Sequence, residues 1–301
     1  MSVYIGELAG LATSIMWSGT STFFTLAGRK IGSVVLNRIR LVLAAIFLIA
    51  THWILYGEPI PLGAGEARWM WLSISGVIGL VLGDAFLFQA FVLIGPRLSM
   101  LLMSLAPVLA TIASWFLLGE VLVWLQLLGI IVTAIGIALV IADRPQSNKS
   151  VEEKRDYVRG ILFGFGGATG QALGLVTSKL GLSGDFPALS GNVIRMLSAV
   201  IVMWVLTFVM GQGQATLERF FKAGRARYFV LGGAIFGPFL GVWLSLIAIQ
   251  YTQVGIASTL MSLSPIFLLP VGKILFKEQY GWKAVLGTVV ALSGVAILFL
   301  V

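Results

Sequence analysis

The chain has 301 residues, 58% of them hydrophobic and only 11% charged, with a mean hydropathy of +1.01. A soluble domain carries roughly 25% charged residues, so this chain belongs in a bilayer. The absence of cysteine and the single histidine exclude a disulfide framework and any thiolate or multi-histidine metal site, while the net charge of +8 must be judged by where it falls.

A spanning helix needs ~20 mostly apolar residues. Polar or Pro/Gly-rich breaks mark ten such segments: 4–27, 33–56, 69–94, 97–118, 122–142, 157–179, 187–210, 227–251, 255–276 and 281–300. The first reads as a span rather than a signal peptide, because its head, MSVYIGE, has no basic residue. The longest polar stretch, DRPQSNKSVEEKRDYVR at 143–159, follows segment five. The expected organisation is a five-helix unit over 1–142, a cytoplasmic linker over 143–156 and a second five-helix unit over 157–301.

The two halves repeat each other. MSLAP at 103–107 returns as MSLSP at 261–265, and Gly83/Gly241, Glu120/Glu278, Trp124/Trp282, Gly129/Gly287 and Gly136/Gly294 share that spacing of 158. Earlier in each half, NRIR (37–40) aligns with NVIR (192–195) at a spacing of 155. An odd number of helices per copy makes the second enter the membrane from the opposite face, which gives an inverted repeat with a substrate site where the copies meet. The expected fold class is therefore all-α: a polytopic membrane protein of ten transmembrane helices in two inverted five-helix repeats.

Lys and Arg concentrate on one set of connections: Arg29, Lys30, Arg97, five in the central linker, Arg219, Lys222, Arg225, Arg227, Lys277 and Lys283. The other face has only Arg68 and Lys179 near it. Positive charge marks the cytoplasmic side, so both termini are expected outside the plasma (inner) membrane. The excess charge is thus a topology signal, and nucleic acid is not an expected partner.

The stretch GDAFLFQAFVLIGPRLSMLLMSLAPVLATIASWFLLGE (83–120) and its counterpart at 241–278 resemble the EamA-type ten-helix members of the drug/metabolite transporter superfamily. Trp17-Ser18-Gly19 and the arginines early in segments two and seven fit the same pattern, and LFKE at 275–278 departs from the Leu-Gly-Glu ending of the other copy. The resemblance covers the whole chain. It implies alternating-access transport of small metabolites such as amino acids, drugs or sugars, with export ranked ahead of uptake. The expected partners are a small-molecule substrate, the lipid bilayer and H+, with no cofactor and no metal, in a monomer or homodimer.

Ionisable residues inside a span are costly and become functional candidates. Arg40 lies ~10 Å from the cytoplasmic end of segment two and Asp84 ~15 Å into segment three, at 1.5 Å per residue. An intramembrane Arg40–Asp84 pair is expected, serving either as a proton-coupling site or as a permanent clamp. Arg195 repeats Arg40, but Val242 occupies the position of Asp84. Arg195 is therefore expected to lack an acid and to meet an anionic group of the substrate, the alternative being that both arginines snorkel toward headgroups.

Trp17, Thr20, Gln89, Gln171, Trp243, Gln250 and Tyr251 supply polar and aromatic groups for a cavity, against the alternative of helix packing. Ser104, Pro107, Ser262 and Pro265 mark helix breaks or gates near the midpoints of segments four and nine, against packing kinks. Glu7 reads as interfacial, and Glu120 and Glu278 as helix-end markers.

GFGGATGQALG (164–174) lacks the last glycine of a dinucleotide loop and reads as helix packing at four-residue spacing. Leu82-Gly83-Asp84 has no second deep aspartate for proteolysis. No enzyme is expected. The alternative to a secondary transporter is an uncoupled channel or a receptor-like membrane protein.

Overall fold

Apolar runs of this length can satisfy their backbone groups in a bilayer only by folding as helices, or by closing a sheet into a barrel. Among the described residues every long element is helical. The structure, a computed structural model, describes residues 4–118, 123–142, 150–182, 186–251 and 260–298.

The first half contains α1 (Ile5–Ile31), α2 (Ser33–Tyr56), α3 (Glu66–Gly76), α4 (Asp84–Met103), α5 (Leu105–Leu118) and α6 (Trp124–Ala142). The second contains α7 (Val151–Gly181), α8 (Ala188–Val209), α9 (Gly213–Phe221), α10 (Ala226–Ala234), α11 (Val242–Tyr251), α12 (Ser264–Leu275) and α13 (Trp282–Leu298). A seven-residue π-helical stretch, Val77–Gly83, joins α3 to α4, and a second, Ile235–Gly241, joins α10 to α11. The two stretches lie 158 residues apart, the spacing of the sequence repeat.

Among the described residues six helices are long and apolar enough to cross a membrane: Ser33–Tyr56, Glu66–Met103, Trp124–Ala142, Val151–Ser178, Ala188–Val209 and Ala226–Ser245. The protein is accordingly an integral, multi-pass membrane protein. α1 has the length but not the apolarity, because it buries Thr13, Ser14, Ser18, Ser21 and Thr25. Their hydroxyls donate to carbonyls of their own helix, as Thr13 does to Ala9 (2.8 Å) and Thr25 to Ser21 (2.7 Å). A helix with its polar stripe satisfied in this way belongs inside a bundle rather than against lipid.

Several boundaries differ from the expected ones. α1 runs on to Ile31, placing Arg29 and Lys30 at the negative end of its dipole. α7 starts at Val151, inside the stretch expected as linker. Ser150 Oγ accepts from the Glu153 N–H (3.1 Å), and the Glu153 carboxylate accepts from the Ser150 N–H (3.1 Å), forming a capping box. The amphipathic α9 fills what reads in the sequence as a connection, and Arg38 of α2 anchors it by donating to Thr216 Oγ1 and Gln212 Oε1, both at 2.8 Å.

Of the expected midpoint breaks, the turns fall at the serines Ser104 and Ser262 and not at the prolines. α4 ends at Met103, Ser104 forms the turn, and α5 resumes at Leu105, so Pro107 sits in the first turn of a new helix. In the second half the turn is at Ser262–Leu263 and α12 resumes at Ser264, directly before Pro265. A first-turn proline has no intrahelical bond to lose. The prolines therefore follow the interruptions rather than sit at them.

Packing follows the repeat. α1 lies against α10, the second π-helical stretch, α11 and α12; α7 lies against α3, the first π-helical stretch, α4 and α5. α2 pairs with α8, and α6 with α13. His52 helps tie α2 to α8: its Nδ1 donates to the Glu58 carbonyl (2.6 Å) and its Nε2 lies 2.8 Å from Ser190 Oγ. The α6–α13 contact is reciprocal. A methyl group built on Gly129 or on Gly294 falls 2.8 Å from the other's carbonyl, and one on Gly287 falls 2.7 Å from that of Gly136.

Overpacking such a crossing costs about 1–3 kcal/mol. Gly136→Leu and Gly287→Leu should each lower the unfolding temperature of detergent-solubilised protein. Gly63→Ala, where an added carbon meets nothing, should leave it unchanged.

Candidate functional site

The first π-helical stretch creates the site. A π-helix shifts hydrogen bonding from i+4 to i+5 and misaligns carbonyls with the usual ladder. Here three successive carbonyls receive side-chain donors. Gln171 Nε2 donates to Gly79 (3.4 Å), Arg40 Nη2 to Leu80 (3.1 Å) and Asn37 Nδ2 to Val81 (3.3 Å). Asn37 and Arg40 stand three residues apart on α2, hence on one face, and Asn37 Oδ1 accepts from Arg40 Nε at 3.0 Å.

Asp84, the first residue of α4, completes the cluster. One carboxylate oxygen accepts from Arg40 and the other from Gln171 Nε2 at 2.6 Å. The expected ion pair is thus present, with Arg40 3% and Asp84 6% exposed. Arg40 also lies over the Phe88 ring at 5.2 Å. Gln171 comes from α7, so the carboxylate is held by groups from both repeats. That approach requires small residues: Gly170 faces Gly83, and Gly174 faces Gly79, backbone to backbone.

Arg195 was expected to lack an acid. It forms no ion pair at contact distance among the described residues, but α8 packs against α3 and the first π-helical stretch. Its Nη2 lies beside Gly79 and Gln171, and Asp84 interacts with it electrostatically. Two guanidinium groups therefore share the field of one carboxylate. Arg195 Nε and Asn192 Nδ2 are buried without an acceptor among the described residues. A buried unmet donor costs about 1–3 kcal/mol.

The remaining candidates are dispersed. Trp17 packs its indole edge against Gly241 on the opposite side of the bundle, and Thr20 Oγ1 donates to the Gly233 carbonyl (2.9 Å). Gln89 accepts from Ser33 Oγ, so it links α4 to α2. Trp243 lies beside Phe239 and lines, with Leu48, Thr51, Leu189 and Val242, a cavity of about 10 Å³. Gln250 and Tyr251 end α11, and their side chains lie outside the described residues, as does all of Glu120.

At the other break, Ser264 Oγ donates to the Ser14 carbonyl (2.9 Å), and Ser18 Oγ donates to that of Ser264 (3.1 Å). Ser104 is buried within its turn, whereas Pro107 and Ser262 are half-buried. Glu278 does more than mark a helix end. It accepts from Arg97 Nε at 2.9 Å, and Arg97 stacks 4.5 Å above Tyr280. The pair joins the start of segment four to the end of segment nine.

Sequence reasoning gave Asn37 and Asn192 no role. The repeated Asn–x–x–Arg spacing was the available signal, since it places an amide and a guanidinium on one helix face. Arg97 was counted only as a topology charge, and nothing in its local sequence indicates a partner 181 residues away.

The sequence matches the EamA-like transporter family over residues 4–142 and again over 158–300. No curated protein matches it. A solved structure described only as "Crystal structure of protein" aligns with a TM-score of 0.66 over 97% of this chain and 95% of its own, at 17% identity. That likeness concerns the fold alone.

Removing one partner of a buried pair costs about 3–5 kcal/mol, whereas replacing both with apolar groups is often neutral. Arg40→Met and Asp84→Leu should each lower the unfolding midpoint sharply, and the double variant should recover most of the loss. Additive losses in the double-mutant cycle would show that the two side chains are not energetically coupled.

Proposed function

Because the chain belongs to the EamA-like transporter family of the drug/metabolite transporter superfamily, and is thus a multi-pass membrane transporter, we propose that it moves a small organic solute by alternating access. One observation carries the reading: a carboxylate buried between the two repeats, with one oxygen on Arg40 and the other on Gln171. Ionisable groups are retained at such depth where they serve a pathway or a proton relay. A group gripped from both repeats is sensitive to any rearrangement of one against the other.

In this proposal ten spanning helices form two inverted five-helix repeats, with both termini on the non-cytoplasmic face of the plasma membrane. One chain contains both repeats, so a single copy suffices. The solute is amino acid-like or drug-like and is exported. Asp84 carries the coupling proton: protonation weakens its hold on Arg40, and deprotonation restores it. The interruptions at Ser104 and Ser262–Leu263 supply the bends as the repeats rock.

The test is counterflow in proteoliposomes loaded with amino acids or cationic drugs. A carrier accelerates uptake of labelled solute when unlabelled solute is trapped on the far side, whereas a channel shows no such stimulation. Asp84→Asn should retain exchange and lose its dependence on an imposed pH gradient. Unchanged gradient dependence would remove Asp84 from coupling.

A further inference from the structure

We infer that the outer wall of the bundle carries a phospholipid site where α4 of one repeat lies on α7 of the other. Its ligand is a lipid with a zwitterionic head bearing a primary ammonium, a phosphoethanolamine. Such a site is independent of the solute the chain carries.

Phe86, Arg159, Leu162, Phe163 and Gly166 line one cavity of about 310 Å³. Phe86 comes from the first repeat and the other four from the second. The rings of Phe86 and Phe163 meet with centroids 5.9 Å apart, and Gly166 leaves Phe86 its room, since an added carbon there falls 3.1 Å from Phe86 Cδ2. Leu162 is 65% and Phe86 41% exposed, so the cavity is a groove on the lipid-facing wall. Apart from Arg159 its walls are apolar, which suits an acyl chain.

The depth of Arg159 follows from two independent observations. Residues 160–178 of α7 contain no Asp, Glu, Lys or Arg. At 1.5 Å per residue they span about 28 Å, close to the ~30 Å of a hydrocarbon core. Arg159 is therefore the last charge before the membrane interior. The hairpin packed on α7 agrees. An added carbon at Gly160 meets Ile94, one at Gly164 meets Leu102, and one at Gly167 meets Leu87. Residues on both sides of the positive-φ turn at Gly95 thus lie deeper along α7 than Ile94 does, so the turn is level with Arg159. A cation at that level meets lipid phosphates.

The charges beside the groove select the head. Asp156 Oδ1 lies 3.9 Å from Arg159 Nη1, at the outer limit of an ion pair, and both side chains are about half exposed. An exposed pair of this kind contributes little, so both members are open to a charged ligand. A phosphodiester fits the planar fork of Arg159, which bonds two of its oxygens. Asp156, three residues earlier on the same helix face, then receives the ammonium that follows the phosphate. Residues 151–159 hold three acids (Glu152, Glu153, Asp156) and three bases (Lys154, Arg155, Arg159). The start of α7 therefore offers no excess positive field to a net anionic head. A choline head has the right charges but no N–H to donate to the carboxylate.

The experiment is a thermal-shift titration of delipidated, detergent-solubilised full-length protein. The ligands are dioleoyl phospholipids with ethanolamine, choline or glycerol heads, and glycerophosphoethanolamine, which has the head without the chains. The ethanolamine lipid should raise the unfolding temperature saturably and at lower concentration than the other two lipids, because it binds the folded state with both charges met. The chain-free head should have no effect. Arg159→Gln should weaken the response about tenfold, the value of one charge-assisted contact. Asp156→Asn should bring the ethanolamine lipid down to the level of the choline lipid and leave the choline lipid unchanged. Arg219→Gln, at an exposed cation on α9, should alter none of these responses.

All three substituted side chains are exposed, so the variants are expected to fold. Equal responses to the three lipids, or the strongest response to the glycerol head, would overturn the site. So would stabilisation by the chain-free head, undiminished binding in Arg159→Gln, an ethanolamine preference that survives Asp156→Asn, or an equal loss in Arg219→Gln.

Discussion

A carboxylate withdrawn from water costs several kcal/mol unless its charge and lone pairs are answered locally. The interior of this protein is organised around meeting that demand at Asp84. Arg40 comes from α2 and Gln171 from α7, and each also donates to a carbonyl of the first π-helical stretch. The demand propagates outward. Gln171 reaches the carboxylate only because α7 lies almost backbone to backbone on the stretch: a carbon added at Gly170 would fall 2.5 Å from the Gly83 Cα, and one at Gly174 would fall 3.0 Å from the Gly79 Cα. Regular α-helix at 77–83 would return those carbonyls to the i+4 ladder and remove the acceptors that steady both donors.

Duplication built the frame twice and the chemistry once. The π-helical stretches coincide in the two repeats, and each is crossed by the first helix of the opposite repeat. The fillings differ. Where Gly170 and Gly174 of α7 meet glycines, Trp17 and Thr20 of α1 fill the space beside Gly241 and Gly237. The polar side of the bundle is therefore tightly knit around Asp84, and the matching side is sealed by an indole and a threonine.

At the expected cytoplasmic end, the connection between repeats is again ionic. Gly95 takes a positive φ of 82° immediately before Pro96, which turns the chain between segments three and four and brings Arg97 onto Glu278. A side chain at Gly95 would strike that carboxylate: an added carbon falls 2.6 Å from Glu278 Oε1. Glycine is required there for its conformation and for the space it leaves.

Composition and periodicity determined much of this protein unaided: residence in a membrane, helical class, the duplication and the pairing of Arg40 with Asp84. Each follows from local hydrophobicity, from a constant spacing between the copies or from similar depths in neighbouring spans, which a linear sequence states directly. The family resemblance was legible for the same reason, in motifs repeated whole. The tertiary structure decided what depends on which helix lies beside which. It brought Gln171 and Arg195 to Asp84, Arg97 to Glu278, and α9 onto Arg38, across separations with no local signature. It also moved the helix interruptions ahead of Pro107 and Pro265, because a proline is tolerated in a first turn and the break is set by the residues before it. Val242 in place of Asp84 was visible from the start. That α8 carries two buried donor atoms without an acceptor among the described residues, Asn192 Nδ2 and Arg195 Nε, appears only when its neighbours are known.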